Sequence, residues 1–303
     1  MSLNHFYLLV ILAAIWGSSF TFIKLTISDF GAIPLMSVRI GIAALFLIIV
    51  SIARKRSHIL SIRFLIQNKL LWTLTIAGIV GQVIPFVLIA FAENKVSAGN
   101  ASIINATTPF WSAAIAFVWL KKQLTLWQII GMIIGFFGVF YLINSLSGAS
   151  NISQTTLLYS LVILVATFAY GYGANYLKRY LNDAHPLDVA TGSTVTAALV
   201  SIPFALWSWP NNTISNDAWL SILTLGIVCT GIAHLLFFYL ISKVDATFAV
   251  SVTFLIPIFG VLWGWLFLEE TVNATTFIAI SMIMIGIILS NQLIKPKTIR
   301  SRR

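Results

Sequence analysis

The sequence predicts an all-α polytopic membrane protein: ten transmembrane helices arranged as two inverted five-helix repeats. Three observations carry the prediction: the composition, a series of continuous apolar runs, and a repeat that slides one half onto the other. Of 303 residues, 59% are hydrophobic and 9% charged. An ordinary soluble domain has roughly 45–50% apolar and about 25% charged residues. A soluble fold needs a polar skin, which this mean hydropathy of +0.98 cannot supply. A disordered chain and a disulfide-stapled module are excluded as well, since the one cysteine, Cys229, permits no internal disulfide.

About 20 mostly apolar residues cross a hydrocarbon core. Ten such runs fall at approximately 6–25, 34–53, 70–91, 97–120, 126–144, 156–177, 187–207, 218–240, 246–268 and 274–293. The strands of a membrane barrel would alternate apolar and polar residues. These runs do not alternate, so they are helices. The first is too long for a signal peptide, lacks a basic segment before it, and ends at Lys24 without a small-residue cleavage site. It is expected to stay as span 1.

The basic residues orient the spans. With both termini placed on the cytoplasmic side, 15 of the 18 Lys and Arg residues fall inside, among them Arg54, Lys121, Lys122, Lys178, Arg179 and the tail from Lys295. Only Lys24 and Lys95 fall outside, as the retention of Lys and Arg on the cytoplasmic side requires. The net charge of +10 is thereby explained without a nucleic-acid partner.

A slide of 148 residues places Gly78-Ile79-Val80 on Gly226-Ile227-Val228, Lys95-Val96 on Lys243-Val244, Ala98 on Ala246, Pro109 on Pro257 and Gly138 on Gly286. Upstream the offset drifts, with Pro34 on Pro186 and Trp16-Gly17 on Tyr170-Gly171. The halves divide at 1–148 and 149–294, followed by a basic cytoplasmic tail at 295–303. Five spans per half is an odd number, so the second half lies upside down. Lys121-Lys122 then falls inside and its counterpart Glu269-Glu270 outside. Inverted repeats are characteristic of secondary transporters, with the substrate site near the midplane.

The residues that mark these spans also carry a resemblance. They are Trp16-Gly17-Ser18-Ser19-Phe20 and Lys24 in span 1, Pro34 and Arg39 in span 2, Ala98 and Pro109 in span 4, a Leu124-Thr125 turn before Gly131 and Gly138, and then Ala246, Pro257, Glu269-Glu270 and Gly286. In this order the chain resembles an EamA-type member of the drug/metabolite transporter superfamily, from about residue 6 to 293. It departs from that pattern at Lys121-Lys122, where an acidic residue is often found. The resemblance implies a cavity lined by spans 1, 3, 4, 6, 8 and 9, with spans 5 and 10 peripheral. It also implies transport of small metabolites, often export of amino acids, in a bacterial inner membrane.

The few polar residues inside apolar spans are the candidates for function. Ala101, Asn105, Thr108 and Ser112 share one face of span 4, beside Pro109. Thr253 lies on the equivalent face of span 9, beside Pro257. The two prolines free backbone carbonyls and serve as bending points. Gln82 in span 3 would forgo hydrogen bonds in lipid, so it faces substrate or a neighbouring helix. Trp16, Ser19 and Tyr170 sit in spans expected to face the cavity, where an aromatic ring with a polar tip suits an amphipathic ligand. Arg39 is a charge well inside a span and serves either a substrate carboxylate or helix ends, in a gating or structural role. His234 suits proton coupling or a plain hydrogen bond. Helix packing is the alternative for the small residues. The GxxxG face Gly131–Gly135 is explained by packing within a monomer, with dimerisation as the other outcome.

No phosphate-cradling loop, zinc motif or oriented Ser/His pair occurs, so neither an enzyme nor a bound cofactor or metal is expected. The expected function is secondary transport of a small molecule across the lipid bilayer, most directly amino-acid or related metabolite export by alternating access. An importer or exchanger of a nucleoside or sugar derivative is the alternative within transport. A non-transporting scaffold or sensor is the alternative outside it.

Overall fold

A computed structural model of the chain describes residues 3–55, 70–148, 154–243 and 252–290. Ala246 and the tail 295–303, both used above, lie outside the described residues, as do the basic residues Arg56, Arg63 and Lys69. Among the described residues there are ten helical paths and no strand. They are α1 (Leu3–Phe30), α2 (Ala32–Ala53), α3 (Leu70–Ala92), α4 (Ala98–Trp119), α5 (Leu126–Gly148), α6 (Gln154–Tyr180), α7 (Pro186–Trp207), α8 (216–243), α9 (Val252–Leu268) and α10 (Ala274–Ser290). Eight are long and apolar enough to cross a membrane. The other two, α9 and α10, have 17 residues each, the lower end of the range of about 17–25 that a span needs. Helix α1 runs past the apolar stretch to Phe30, so Lys24 lies within it.

Side chains start the helices where the sequence turns polar. Ser97 caps α4 by accepting from Asn100 N at 3.2 Å. Ser215 caps α8 from Ala218 N at 3.2 Å. Thr125 and Gln128 form a reciprocal capping box at α5, with bonds of 2.9 and 3.3 Å.

The halves are equivalent in detail. Helix α3 contains a π-helical turn at Ile79–Val83 and α8 one at Ile227–Ile232, starting 148 residues apart. Helices α4 and α9 both end in a turn whose left-handed residue is not glycine: Lys121 (φ 54°) and Glu269 (φ 55°), also 148 apart. The next amide closes each turn, Lys122 N on Ala116 O at 3.1 Å and Glu270 N on Gly264 O at 3.2 Å, the long backward bond that finishes many helices.

The helix neighbours obey the same exchange. Helix α1 packs on α9 as α6 packs on α4, α3 on α6 as α8 on α1, and α3 on α7 as α8 on α2. Helix α2 pairs with α7, α4 with α9 and α5 with α10. Gly17 permits the first contact: a Cβ there would lie 2.6 Å from Phe259 Cβ and 2.9 Å from Gly260 N. Gly171 does the same in the other half, 2.9 Å from Trp111 Cβ and 2.8 Å from Ser112 N. The face predicted from Gly131–Gly135 is used within the monomer, where Gly131 and Gly286 back onto each other.

The outer surface suits hydrocarbon. Leu45, Ile49, Trp72, Phe137, Phe140 and Phe267 are exposed. Trp207 is exposed, while Trp209 and Trp219 meet Phe30 edge-on at 6.1 and 5.2 Å at one end of the bundle. At that end Asp29 of α1 ties down the start of α8, accepting from Ser215 Oγ at 2.7 Å and Ser215 N at 3.0 Å.

Candidate functional site

Polar side chains from both halves meet at the centre of this apolar bundle, and Arg39 organises them. It lies in α2 among buried Leu35, Met36, Ile40 and Ala43, and is itself buried. Its Nε donates to Thr230 Oγ1 at 2.9 Å, its Nη1 lies 3.9 Å from Met36 Sδ, and its guanidinium carbon sits 4.1 Å over the Phe86 ring. All three partners are neutral. A cation over an aromatic face out of water gains up to about 2 kcal/mol, far less than the hydration it gives up. Arg39 is therefore a poised positive centre that an anionic group would satisfy.

The π turns place the groups around it. Gln82 lies in the turn of α3, and Thr230, 148 residues on, in the turn of α8. Thr230 donates to Leu225 O at 2.9 Å, five residues back, and accepts from Arg39 of α2. Gln82 reaches the helix that matches α2 in the other half: its Nε2 donates to Thr194 Oγ1 of α7 at 3.1 Å, and Ser193 Oγ lies at 3.5 Å. The same irregular turn thus aims a polar side chain across the interface between halves twice. Isolated π turns recur at functional sites. The Oε1 of Gln82 is enclosed with no hydrogen-bond partner among the described residues.

Tyr170 of α6 meets Phe86 edge-on at 6.2 Å. Tyr170, Cys229, Glu93 and His234 all lie within electrostatic reach of Arg39. His234 hydrogen-bonds the Thr230 backbone. Ser18 Oγ is 3.7 Å from Cys229 Sγ. Trp16 joins the rim through Phe237, ring to ring at 5.4 Å. Ser19 is buried one residue beyond Ser18. Of the sequence-predicted residues, Arg39, Tyr170 and His234 are thus brought together, with Trp16 and Gln82 connected to them through α8 and α3.

The span 4 residues divide. Helix α4 is broken at Ala106–Thr107 into Ala98–Asn105 and Thr108–Trp119, with Pro109 at the second position of the second piece. Asn105 ends the first piece, and its Oδ1 is enclosed without a hydrogen-bond partner among the described residues. Thr108 Oγ1 is spent on Asn105 O at 2.8 Å. Ser112 serves packing, accepting from Asn175 Nδ2 of α6 at Oγ (3.1 Å) and O (2.9 Å). Thr253 stands half-buried at the start of α9, and Pro257 lies inside that helix, which continues through it. Two surface grooves, of about 580 and 610 Å³, lie along the apolar face of α5 and beside Glu269–Val272, and neither is lined by a predicted site residue.

Phe86, Thr230 and Asn175 were not singled out by the sequence. The repeat offset was the available signal for Thr230, since it falls on Gln82. Nothing in the local pattern distinguishes Phe86 from the other aromatics of span 3. Asn175 stands among aromatic and glycine residues near a basic helix end, which hides it.

Comparison with known proteins agrees with this architecture. The model of the EamA-like transporter family matches twice, at residues 5–144 and 157–292. An uncharacterized transporter of Archaeoglobus fulgidus is 25% identical, over 94% of this chain and 98% of its own length. The uncharacterized transporter YoaV of Bacillus subtilis is 23% identical, over 91% and 92%. The S-adenosylmethionine/S-adenosylhomocysteine transporter of Chlamydia muridarum is 22% identical, over 92% and 87%. A solved crystal structure shares the fold with a TM-score of 0.67 at 16% identity, covering 93% of this chain and 94% of its own.

Proposed function

The chain belongs to the EamA-like transporter family, and from that premise we propose that it exports amino acids or related amino-acid metabolites by alternating access. That it is a multi-pass membrane transporter of a small molecule, not an enzyme, follows from the family and its relatives. The finer reading rests on one observation: a buried polar cluster around Arg39, built from both halves and only partly satisfied by neutral partners. A scaffold or sensor has no use for such a cluster, because unpaired polar groups in a dry core cost stability.

An amino acid offers the complementary groups. Its carboxylate suits the guanidinium of Arg39, its ammonium suits the acceptors Gln82 Oε1 and Asn105 Oδ1, and its side chain suits Trp16, Phe86 and Tyr170. Ser19, Thr108 and Thr253 are read as hydroxyls along the path, and His234 as the residue of possible proton coupling. The relative that carries S-adenosylmethionine handles a compound built on an amino acid, which favours the same class here. The two halves, taken as 1–148 and 149–294, rock about the cluster, helped by the break at Pro109 and by Pro257. A phosphorylated sugar would call for several deep cations, and among the described residues Arg39 is the buried one.

The expected setting is a bacterial inner membrane with both termini cytoplasmic, and a monomer as the working unit. The distribution of Lys and Arg supports that orientation.

The test is efflux from reconstituted vesicles loaded with a panel of radiolabelled amino acids. Asn105→Leu should lower the flux of the exported compound roughly tenfold, the equivalent of about 1.4 kcal/mol, while protein yield stays unchanged. Unchanged flux would remove Asn105 from the site.

A further inference from the structure

Glu93 follows directly on Ala92, the last residue of α3, and its side chain is completely enclosed. Neither carboxyl oxygen has a hydrogen-bond partner among the described residues. The charged groups around it are already committed elsewhere. The ammonium of Lys24, from α1, binds main-chain carbonyls of the α3–α4 turn, at Glu93 O and at Val96 O (3.1 Å). Glu270, from the turn after α9, spends its carboxylate on the start of α4, accepting from Ala98 N at 2.6 Å and Gly99 N at 2.9 Å. Arg39 of α2 is stacked on Phe86. On the α6 side Tyr159 stacks on Phe91 at 4.9 Å, and Tyr170 faces Arg39.

So a carboxyl group is sealed at a junction of three first-half helices, beside a second-half residue that clasps α4. Burial holds it well above the usual carboxylate range; Lys24 pulls it back, Glu270 pushes it further up, and Arg39 pulls it back again.

We propose that Glu93 is a proton-binding site whose occupancy closes this end of the bundle. With the proton bound, the neutral carboxyl tolerates its dry enclosure between Lys24 and Glu270. When the O–H bond breaks and the proton passes to water, the carboxylate demands solvent and repels Glu270. The clasp on Ala98 and Gly99 then loosens and this end opens. The sign follows from linkage: an acid whose affinity for protons is higher in the closed state favours that state at low pH. Above the ordinary glutamate value, about 4.3, the closed form loses about tenfold per pH unit until Glu93 ionises in place. A role in the transport cycle rests on the alternating-access reading above; the proton site itself does not.

The experiment needs no substrate. The full chain in lipid nanodiscs is titrated with protons upward from the ordinary glutamate value, about 4.3, into the alkaline range. Infrared spectra report its protonated C=O band. N-ethylmaleimide reports opening at Cys229, the sole cysteine of the sequence and a buried one. Rates are divided by those of the unfolded protein at the same pH, which removes the thiol's own ionisation. A protonated-carboxyl band is expected at low pH, fading as pH rises and missing in Glu93→Gln. Cys229 labelling should rise at least ~10-fold across the range in the parent and less than ~2-fold in Glu93→Gln. Lys24→Met should move the midpoint up and Glu270→Gln down, each by about one unit. Glu93→Asp keeps the titration if the Gln variant fails to fold. A band that survives in Glu93→Gln, or the same labelling profile with and without Glu93, overturns the proposal. Failure of every compound in a transport panel would count against the substrate reading and leave this result standing.

Discussion

Arg39 shows how far a single residue can be read from sequence. A lone cation inside a span has to be functional or braced, and the structure places it on neutral braces at the centre: Thr230, Met36 and Phe86. Its planar fork makes the Nε bond and the stacking contact together, which an ammonium cannot do. Arg39→Lys should therefore abolish most flux in loaded vesicles while the protein still elutes as a folded monomer. Full flux in that variant would make Arg39 a brace alone. Gln82 and Asn105 stand out in the sequence as amides in apolar helices. Gln82 uses its donor for contact with α7, the structural one of its two readings, and its acceptor has no hydrogen-bond partner among the described residues. Glu93 was not legible. Its sequence position at the end of a span suggests a wet carboxylate, and only the packing of α1, α3 and α4 around it removes the water.

The irregular pieces matter most at the scale of the element. The two π turns and the two left-handed helix ends recur 148 residues apart, so they are features of the repeat, not accidents of one helix. Apolar periodicity cannot reveal a π turn, because one residue inserted into a run that is apolar throughout leaves the pattern looking the same. The close approaches were partly legible as glycines at matched positions. Gly131→Val should clash with the Gly286 backbone and destabilise the fold by about 1–3 kcal/mol, read as a lowered Tm in detergent. Glu270→Ala removes two charge-assisted bonds from the N-terminus of α4. It should cost about 0.5–2 kcal/mol, whereas Glu269→Ala, at its neighbour, should stay closer to the parent. Equal losses in both would mean that the turn, not the cap, carries the effect.

For the whole molecule, span number and the pairing of halves were legible because a bilayer imposes length, apolarity and charge asymmetry on every segment. Which faces meet was not, since a helix that is apolar all round carries no stripe to point the way. The contacts supply it: α1 on α9 mirrors α6 on α4, and the polar contacts of Arg39 and Gln82 each join one half to the other. A protein so built should bind a small charged metabolite between its halves and exchange it across the membrane. Counterflow measures this directly. Vesicles holding the purified chain are loaded with an unlabelled amino acid or S-adenosylmethionine, diluted into the labelled compound, and followed over time. The account predicts a transient overshoot for at least one member of the panel, lost in Asn105→Leu and in Arg39→Lys. No overshoot for any amino acid or amino-acid derivative, with an overshoot for a nucleoside or sugar derivative, would contradict it.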